Sequence, residues 1–369
     1  MNVGVLGGGQ LGRMLALAGQ PLGLRFLFGD PAPETPARLV ADQLVVGDYE
    51  DEESHHALAE RVEVVTYEVE NVPAPALFHL AEHRSVFPTP EALRLMQDRL
   101  REKRLCVELG IPVPPFRRVD AEGELRAAAA ELGLPLMLKT RFAGYDGRGQ
   151  RRVVAPDGLA SAVADLGGRR LLAEPVVPFA REVSLIAARG RDGTFAAYPL
   201  VENHHEDGIL RWSRPLRCDE AAAWQATADQ HARRIMERLG YVGVMTIEYF
   251  VTADGLQVNE LAPRVHNSGH WTIEGAVTSQ FENHLRAGLG WPLGDPSARG
   301  ASLMVNLIGV VPDARRVLAV AGAHLHVYGK AARPGRKVGH VTLTAETTAA
   351  LAEPTTRLAE ILGVALPNP

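Results

Sequence analysis

Residues 242–264 read VGVMTIEYFVTADGLQVNELAPR, two alternating apolar runs either side of TADG, the pattern of a β-hairpin turning at Asp254-Gly255. Period-two alternation places Val244, Thr246, Glu248 and Phe250 on one face of the first strand, and Leu256, Val258 and Glu260 on one face of the second. Reflection about a turn centred near Asp254 sets Glu248 opposite Glu260 on a largely apolar surface, although a slip of one residue would undo the pairing. Like charges across a strand pair repel, and a buried carboxylate without a partner is costly. A shared divalent cation resolves the conflict, and Mg2+ takes one or two carboxylates with substrate phosphates and water. Asn259 either binds directly or orients the acids. The alternative is neutralisation of the pair by Arg264 or another arginine.

The chain leaves this hairpin through APRVHNSGHW, residues 262–271, unusually polar for an exit from a sheet. Arg264, His266 and Asn267 together, just past the acids, suit a small anion beside a metal-bound phosphate. Upstream, the apolar run LPLMLKT ends on Lys139, and RFAGYDGRGQ (141–150) follows before the strand RRVV. Gly144, Tyr145, Asp146, Gly147, Arg148, Gly149 and Gln150 make a poor hydrophobic hairpin and a good flap over polyphosphate. Glycines admit close backbone approach, and Lys139 and Arg148 supply charge. No G-x-x-x-x-G-K-[ST] occurs, and a solvated hairpin is the alternative. In LLAEPVVPFAREVSL (171–185), Glu174, Pro175, Val176 and Val177 close one strand-like run and Glu182 opens the next. Main-chain groups at such a link can pair with an adenine edge and a carboxylate can take ribose hydroxyls; salt bridging explains either acid equally well. His204 and His205, in ENHHEDG, carry no metal spacing and read as polar loop histidines.

At the N-terminus, Gly7-x-Gly9-x-x-Gly12 stands between the strand NVGVL and a helix, with Asp30 closing the next strand. This is a full dinucleotide fingerprint. Its physics is more general, since a glycine turn at a helix N-terminus offers N–H groups and a positive dipole end to any phosphate. Strands and helices alternate to residue 90, which makes a small doubly wound parallel sheet. Glu68 and Asn71 lie at a strand's carboxyl end beside the glycine turn, where such sheets bind ligands, unless they simply form a turn before Val72-Pro73. One helical segment over 91–110 closes on Gly110, so the first domain boundary falls near residue 95. The last region carries the strands ASLMVNLIG, AHLHVYGK and GHVTLTA and a helix near 347–362. Its basic segment LHVYGKAARPGRKVGH either binds an anion or is solvated. The expected domains are 1–95, 96–297 and 298–369.

The chain has 369 residues, 46% hydrophobic and 22% charged, with a formal net charge of −5. That is ordinary globular composition without an overall basic field, so neither nucleic acid nor membrane is an expected partner. No run approaches the length of a membrane span, and the strand-like opening MNVGVL has no basic n-region before an apolar stretch, so a signal segment is not expected. Cys106 and Cys218 are the only cysteines; without metal or redox spacing they read as buried thiols in a reducing cytoplasm. Of 39 lysines and arginines only four are lysines, Lys103, Lys139, Lys330 and Lys337. Lys103, in the exposed-looking run REKR, is the one without a reading.

Taken together the motifs resemble the ATP-grasp superfamily. Within it, GGGQLGRM (7–14), TYEVENVP (66–73), GYDGRGQ (144–150), VNELAPRVHNSGHWT (258–272) and RPGRKVGHV (333–341) look like the 5-(carboxyamino)imidazole ribonucleotide synthases. The resemblance implies an α/β and α+β chain: an N-terminal doubly wound parallel-sheet domain, an ATP-grasp domain of two subdomains clamping ATP, and a small C-terminal α+β domain. It implies carboxylation of 5-aminoimidazole ribonucleotide by bicarbonate through carboxyphosphate, with ATP and Mg2+, in purine biosynthesis, by a homodimer. By the same resemblance Arg99, Lys139 and Gly144–Gln150 hold ATP phosphates, Glu174 to Val177 border the adenine, Glu182 binds ribose and His205 lies near the nucleotide. Asn259 and Glu260 also touch ATP, and Glu248 and Glu260 bind Mg2+. Tyr145, Asp146, Arg264, His266 and Asn267 form the catalytic group, with Asp146 or released phosphate taking the amine proton. The ribotide lies over Gly9, Gln10 and Leu11, with Glu68, Asn71, Lys330, Arg336 and Lys337. Ala143 departs from the family, which more often has glycine there.

Three further readings compete. An NAD-dependent oxidoreductase rests on Gly7–Gly12 and Asp30, and leaves the acid pair, Lys139 and GYDGRGQ unexplained. A nucleotide sensor without turnover does not account for Arg264 and His266 beside the metal. A formyl-transferring ATP-grasp ligase would activate formate instead of bicarbonate.

Overall fold

The computed structural model describes residues 1–144, 149–168, 170–216 and 219–368. The chain opens with five parallel strands, β1 (Asn2–Leu6), β2 (Arg25–Asp30), β3 (Gln43–Val46), β4 (Val64–Tyr67) and β5 (Ser85–Val86), in spatial order β3-β2-β1-β4-β5. Helices α1 (Gln10–Gly19), α2 (Glu52–Ala59) and α3 (Ala74–His83) return the chain between them. Strand order reverses between β1 and β4, and the carboxyl ends of those two strands carry Gly7–Gly9 and Glu68, the expected ligand edge of a doubly wound sheet. Both faces are covered, by Val3, Leu15, Phe26 and Phe28 on one side and Leu6, Leu58, Val65 and Leu77 on the other.

The single helix expected over 91–110 is two, α4 (Pro90–Met96) and α5 (Arg99–Glu108). Asp98 leaves helical geometry at φ −119° and ψ 105° and caps the second helix, accepting from Leu100 N at 3.0 Å. A small antiparallel sheet follows, order β6-β9-β7-β8, from β6 (Arg117–Val119), β7 (Leu136–Thr140), β8 (Gln150–Val153) and β9 (Leu171–Pro175). Helices α6 (Glu122–Leu132) and α7 (Leu159–Asp165) cover it through Leu125, Leu136, Leu138, Leu159 and Ala173. Alternation turns Lys139 and Glu174 to the opposite face.

The remaining strands form one large sheet. β10 (Arg181–Arg189), β12 (Val201–Glu206), β13 (Ile209–Pro215), β14 (Gly243–Thr252), β15 (Gly255–Ala262), β16 (Ala301–Ile308), β17 (Ala323–Val327) and β18 (Lys337–Ala345) run in the order β15-β14-β10-β12-β13-β16-β18-β17, with β11 (Phe195–Ala197) on β10. α8 (Asp219–Arg238) packs one face through Ala228, Ala232, Ile235 and Met236 against Met245, Ile247 and Tyr249. The short α9 (Thr272–Gly275) leads to α10 (Gln280–Leu289), which packs the other face and, with Phe281 and Leu285, joins α1 of the N-terminal sheet. The final region adds α11 (Ala314–Leu318) and α12 (Ala352–Leu362). It has its own core around Leu303, Val341, Leu343 and Leu358, but its strands continue the large sheet, Trp212 pairing with Val305 and Ser213 with Met304.

Two expectations need correcting. His204 and His205 are not in a loop; both lie in β12, with a register shift between them. In the β14–β15 hairpin Glu248 does pair with Glu260, but Tyr249 pairs with Val258, so Asn259 and Glu260 both oppose Glu248 in a bulge. Leu256, Val258 and Leu261 therefore enter the α8 core, and Glu260 does not share their face. Among the described residues no helix is long and apolar enough to cross a membrane.

Candidate active site

The face of the small sheet turned away from its helices meets the β14–β15 hairpin, and basic and acidic groups meet there. Lys139 Nζ donates to Glu174 Oε2 at 2.7 Å and to Asn259 Oδ1 at 3.2 Å. Lys103, expected to be exposed, is 2% exposed; its Nζ lies 3.0 Å from Glu174 Oε1 and donates to Val258 O at 3.0 Å. Charge in a run does not reveal which member is turned inward: α5 packs on β15 and buries Lys103 with Leu100, Glu102, Leu105 and Cys106. Burial alone would raise Glu174, but Lys103 and Lys139 outweigh it and hold the carboxyl down at about 2. Lys139 is pushed below its ordinary value, by burial and then by Lys103 and Arg99, against the pull of Glu174. Val176 N donates to Pro135 O at 3.0 Å, so this amide of the adenine-link candidate is already engaged.

Arg99 Nη1 donates to Glu260 Oε2 at 3.0 Å. Its own amide donates to Arg141 O at 3.1 Å, and Arg141 pairs with the cap residue Asp98, so the start of α5 is tied to the end of β7. Beneath them Glu102, 1% exposed and unassigned from sequence, accepts from Leu261 N at 2.8 Å. Burial, reinforced by Glu260, pushes its carboxyl up to about 8.

The paired acids differ in environment. Glu260 would be raised by burial, but Arg99 holds it below its ordinary value. Burial, then Glu260 and Glu182, pushes Glu248 up to about 7 against His205 and Lys337. The surface around them is polar instead of the apolar one expected. Glu182 Oε2 lies 3.1 Å from His205 Nδ1, and His266 Nε2 lies 3.2 Å from Glu248 Oε1. Ser268 N donates to His266 Nδ1 at 3.3 Å and Ser268 Oγ is 2.8 Å from it. A backbone N–H can only donate, so Nδ1 is the acceptor and the neutral ring carries its proton on Nε2, toward Glu248. Asn203 Nδ2 donates to Ser184 Oγ at 3.0 Å and Ser184 Oγ to Ser268 Oγ at 2.8 Å, completing a chain that orients the ring. Burial, with Arg264 and Lys337 nearby, holds His266 well below its ordinary value, so it is neutral.

Arg264 Nη2 lies 2.8 Å from Glu70 Oε1, a partner not foreseen from sequence. Asn267 exchanges amide hydrogen bonds of 3.0 and 2.8 Å with Asn306 of β16, and so ties the site to the last region. At the glycine turn Gly9 N donates to Glu68 Oε1 at 2.7 Å, and a Cβ on Gly9 would meet that oxygen at 2.4 Å. Helix α1 has no side-chain cap from its N-cap Gly9, and Glu68 takes the Gly12 amide besides that of Gly9, which leaves the amides of Gln10 and Leu11 to lend the turn its anion-binding character. Lys330 bonds Gln10. Lys337 acts on Glu248, His205 and His266, whereas Arg336 Nη1 reaches Ala331 O at 3.3 Å and Asn71 is exposed. Asp30 Oδ2 accepts from Gly8 N at 2.6 Å, so the acid of the dinucleotide fingerprint closes the turn itself.

Gly144, Gly149 and Gln150 frame the glycine loop. Gly149 stands at φ 73°; its carbonyl accepts from Thr140 N at 2.7 Å, and a Cβ there would meet Thr140 Oγ1 at 2.4 Å. Ala143 sits at φ 57°, the left-handed region that favours glycine. Tyr145, Asp146, Gly147, Arg148 and Cys218 lie outside the described residues; Cys106 is a buried free thiol.

A small α+β half facing a larger one across lysines, an arginine and paired acids, behind a doubly wound domain, defines an ATP-grasp protein. Family models follow the same order: ribonucleotide synthetase preATP-grasp domain over residues 1–97, ATP-grasp domain over 104–281, and phosphoribosylaminoimidazole carboxylase C-terminal domain over 302–354. The chain belongs to the N5-carboxyaminoimidazole ribonucleotide synthase family of ATP-grasp ligases. The synthase of Pseudomonas aeruginosa is 50% identical over 361 residues, 98% of each chain. The structure of the Thermus thermophilus synthetase matches with a TM-score of 0.94 at 53% identity, over 99% of both chains. That of the Aspergillus clavatus synthase in complex with ADP and 5-aminoimidazole ribonucleotide matches at 0.91 and 35%, over 98% of both.

Proposed function

We propose that this chain joins bicarbonate to the exocyclic amine of 5-aminoimidazole ribonucleotide at the expense of ATP, and that the residues around Glu248 and Glu260 carry the reaction. The observation that supports it most is their facing position, with Lys139 and Arg99 on one side and His266 on the other. The γ-phosphoryl group passes to a bicarbonate oxygen, giving carboxyphosphate; the amine nitrogen then attacks its carbon and phosphate leaves. Lys139 and Arg99 neutralise the phosphates, largely by position and charge. Glu182 and His205 take the ribose side of ATP, and Glu174 holds Lys103 and Lys139 in place through one contact from each of its oxygens. Arg264 and neutral His266 hold bicarbonate, His266 donating from Nε2. Lys330 and the first amides of α1 take the ribotide phosphate. Tyr145 and Asp146 keep the roles implied by the resemblance, contact with bicarbonate and removal of the amine proton. Exclusion of water matters because carboxyphosphate hydrolyses readily.

Glu248, Glu260 and Asn259 Oδ1 are hard oxygen donors brought together at the bulge of the hairpin, so these residues fit Mg2+. When bound it would supply charge neutralisation for the phosphates. The proposal includes a cytoplasmic homodimer and the division 1–95, 96–297 and 298–369. It is tested by ADP release with ATP, Mg2+ and bicarbonate, with and without the ribotide, and again with formate for bicarbonate. Release should need both bicarbonate and ribotide. Equal release with formate would make the chain a formyl-transferring ligase.

A further inference from the structure

Helix α3 carries HLAEH at residues 79–83, which has no part in the site above. Positions 79 and 83 lie one turn apart on the same helix face with 82 beside them. One ring nitrogen each of His79 and His83 and a carboxylate oxygen of Glu82 all lie within 4.8 Å of one another. His79 Nδ1 stands 3.9 Å from Glu82 Oε2, and the two imidazoles meet edge-on with centroids 5.3 Å apart. The neighbouring helix adds to the cluster. His56 of α2 meets His83 edge-on at 6.3 Å, and its Nε2 lies 3.2 Å from Glu60 Oε1. His55 beside it is 3% exposed, and neither of its ring nitrogens has a hydrogen-bond partner.

We propose that His79, Glu82 and His83 bind one late first-row divalent cation, of the zinc, nickel or copper kind, with His56 closing the fourth position so that the ion ties α3 to α2. Two imidazoles and a carboxylate are a donor set that suits these ions, at ~2.0–2.2 Å after small side-chain rotations. Mg2+ prefers oxygen donors and keeps several waters, so the chain separates the two ions by chemistry: oxygens at Glu248 and Glu260, nitrogens on α3. Helix α3 also runs away from the strand ends that carry Glu68, which puts its last turn about 15 Å along from that edge. The ion is therefore a fastening of the N-terminal domain, and it stabilises the folded chain by mass action.

The test is zinc titration of the full chain by calorimetry, with Mg2+ and ADP present to occupy the oxygen donors, for the wild type and for the double variant His79→Asn/His83→Asn. The wild type should bind one more equivalent of zinc than the double variant, and zinc should raise the melting temperature of the wild type alone. Cobalt in place of zinc should give visible bands of tetrahedral strength. His83 is exposed and His79 half-buried, and neither belongs to the site above, so the two proteins should melt nearly alike without zinc and turn over equally. Equal zinc stoichiometry in the two proteins overturns the site. A melting shift that His56→Asn leaves unchanged overturns the tie to α2.

Discussion

Lys103 shows how one buried charge organises the site. It shares Glu174 with Lys139 and also holds Val258 O, so it fixes the acid that keeps Lys139 in place and the strand that carries Asn259. Removing one partner of a buried ion pair costs about 3–5 kcal/mol. Lys103→Met should lower the denaturation midpoint accordingly and raise KM for ATP. Lys103→Arg should recover less than half of either, because a planar fork does not replace a compact ammonium between two fixed oxygens. Glu248 gives a pH signature. Its carboxyl rises from an ordinary 4.5 to about 7 on folding, so the stabilisation by its protonated form is complete below pH 4.5 and lost as pH rises through 7. Ligand-free Glu248→Gln should therefore be more stable than the wild type at pH 8, by roughly 1–3 kcal/mol, with the gap closing below pH 5. Thermal melts across that range, repeated with Mg2+ and ADP, check it; the ligands should stabilise the wild type more than the variant.

At the scale of elements, the β14–β15 hairpin shows what patterning can and cannot reveal. The acid pair was legible because alternation and the Asp254-Gly255 turn set the approximate register. The bulge was not, because one extra residue leaves no mark in a polar pair such as Asn259-Glu260. The reflection about Asp254 and the bulge compensate each other: Thr252 pairs with Gly255, so a regular ladder would bring Asn259 opposite Glu248. The bulge brings both Asn259 and Glu260 to the site, where strict alternation supplies one. Asn259→Ala should keep the backbone and lose the acceptor for Lys139, raising KM for ATP about tenfold if the bond to the ammonium contributes ~1.5 kcal/mol. Steady-state kinetics at saturating ribotide measures it. The break at Asp98 was likewise hidden, since a capping aspartate inside a charged run reads as one more helical residue until Arg141 is seen to claim it. Glu70, Glu102 and the Asn203–Ser184–Ser268 chain touch the candidate side chains only through tertiary packing, and no spacing announces them.

At the scale of the molecule, the doubly wound first region and the two α+β halves follow from periodicity and glycine placement. The continuity of the last region with the large sheet does not, because the β13–β16 pairing joins segments almost a hundred residues apart in the chain. That continuity brings Asn306 to Asn267 and Lys337 toward Glu248, while Lys330 reaches Gln10 on the first domain. The loop of Arg264 to Asn267 is thus tied to the last region, and the glycine turn to the same region through Lys330, an arrangement that suits the proposed passage of an acyl phosphate between them. The direct test is the fate of isotopic oxygen. With bicarbonate labelled in all three oxygens by oxygen-18, Mg2+, ATP and 5-aminoimidazole ribonucleotide, the phosphate released should carry one labelled atom, since the oxygen that bridges carbon and phosphorus leaves with phosphorus. Unlabelled phosphate at full ADP release would contradict the account.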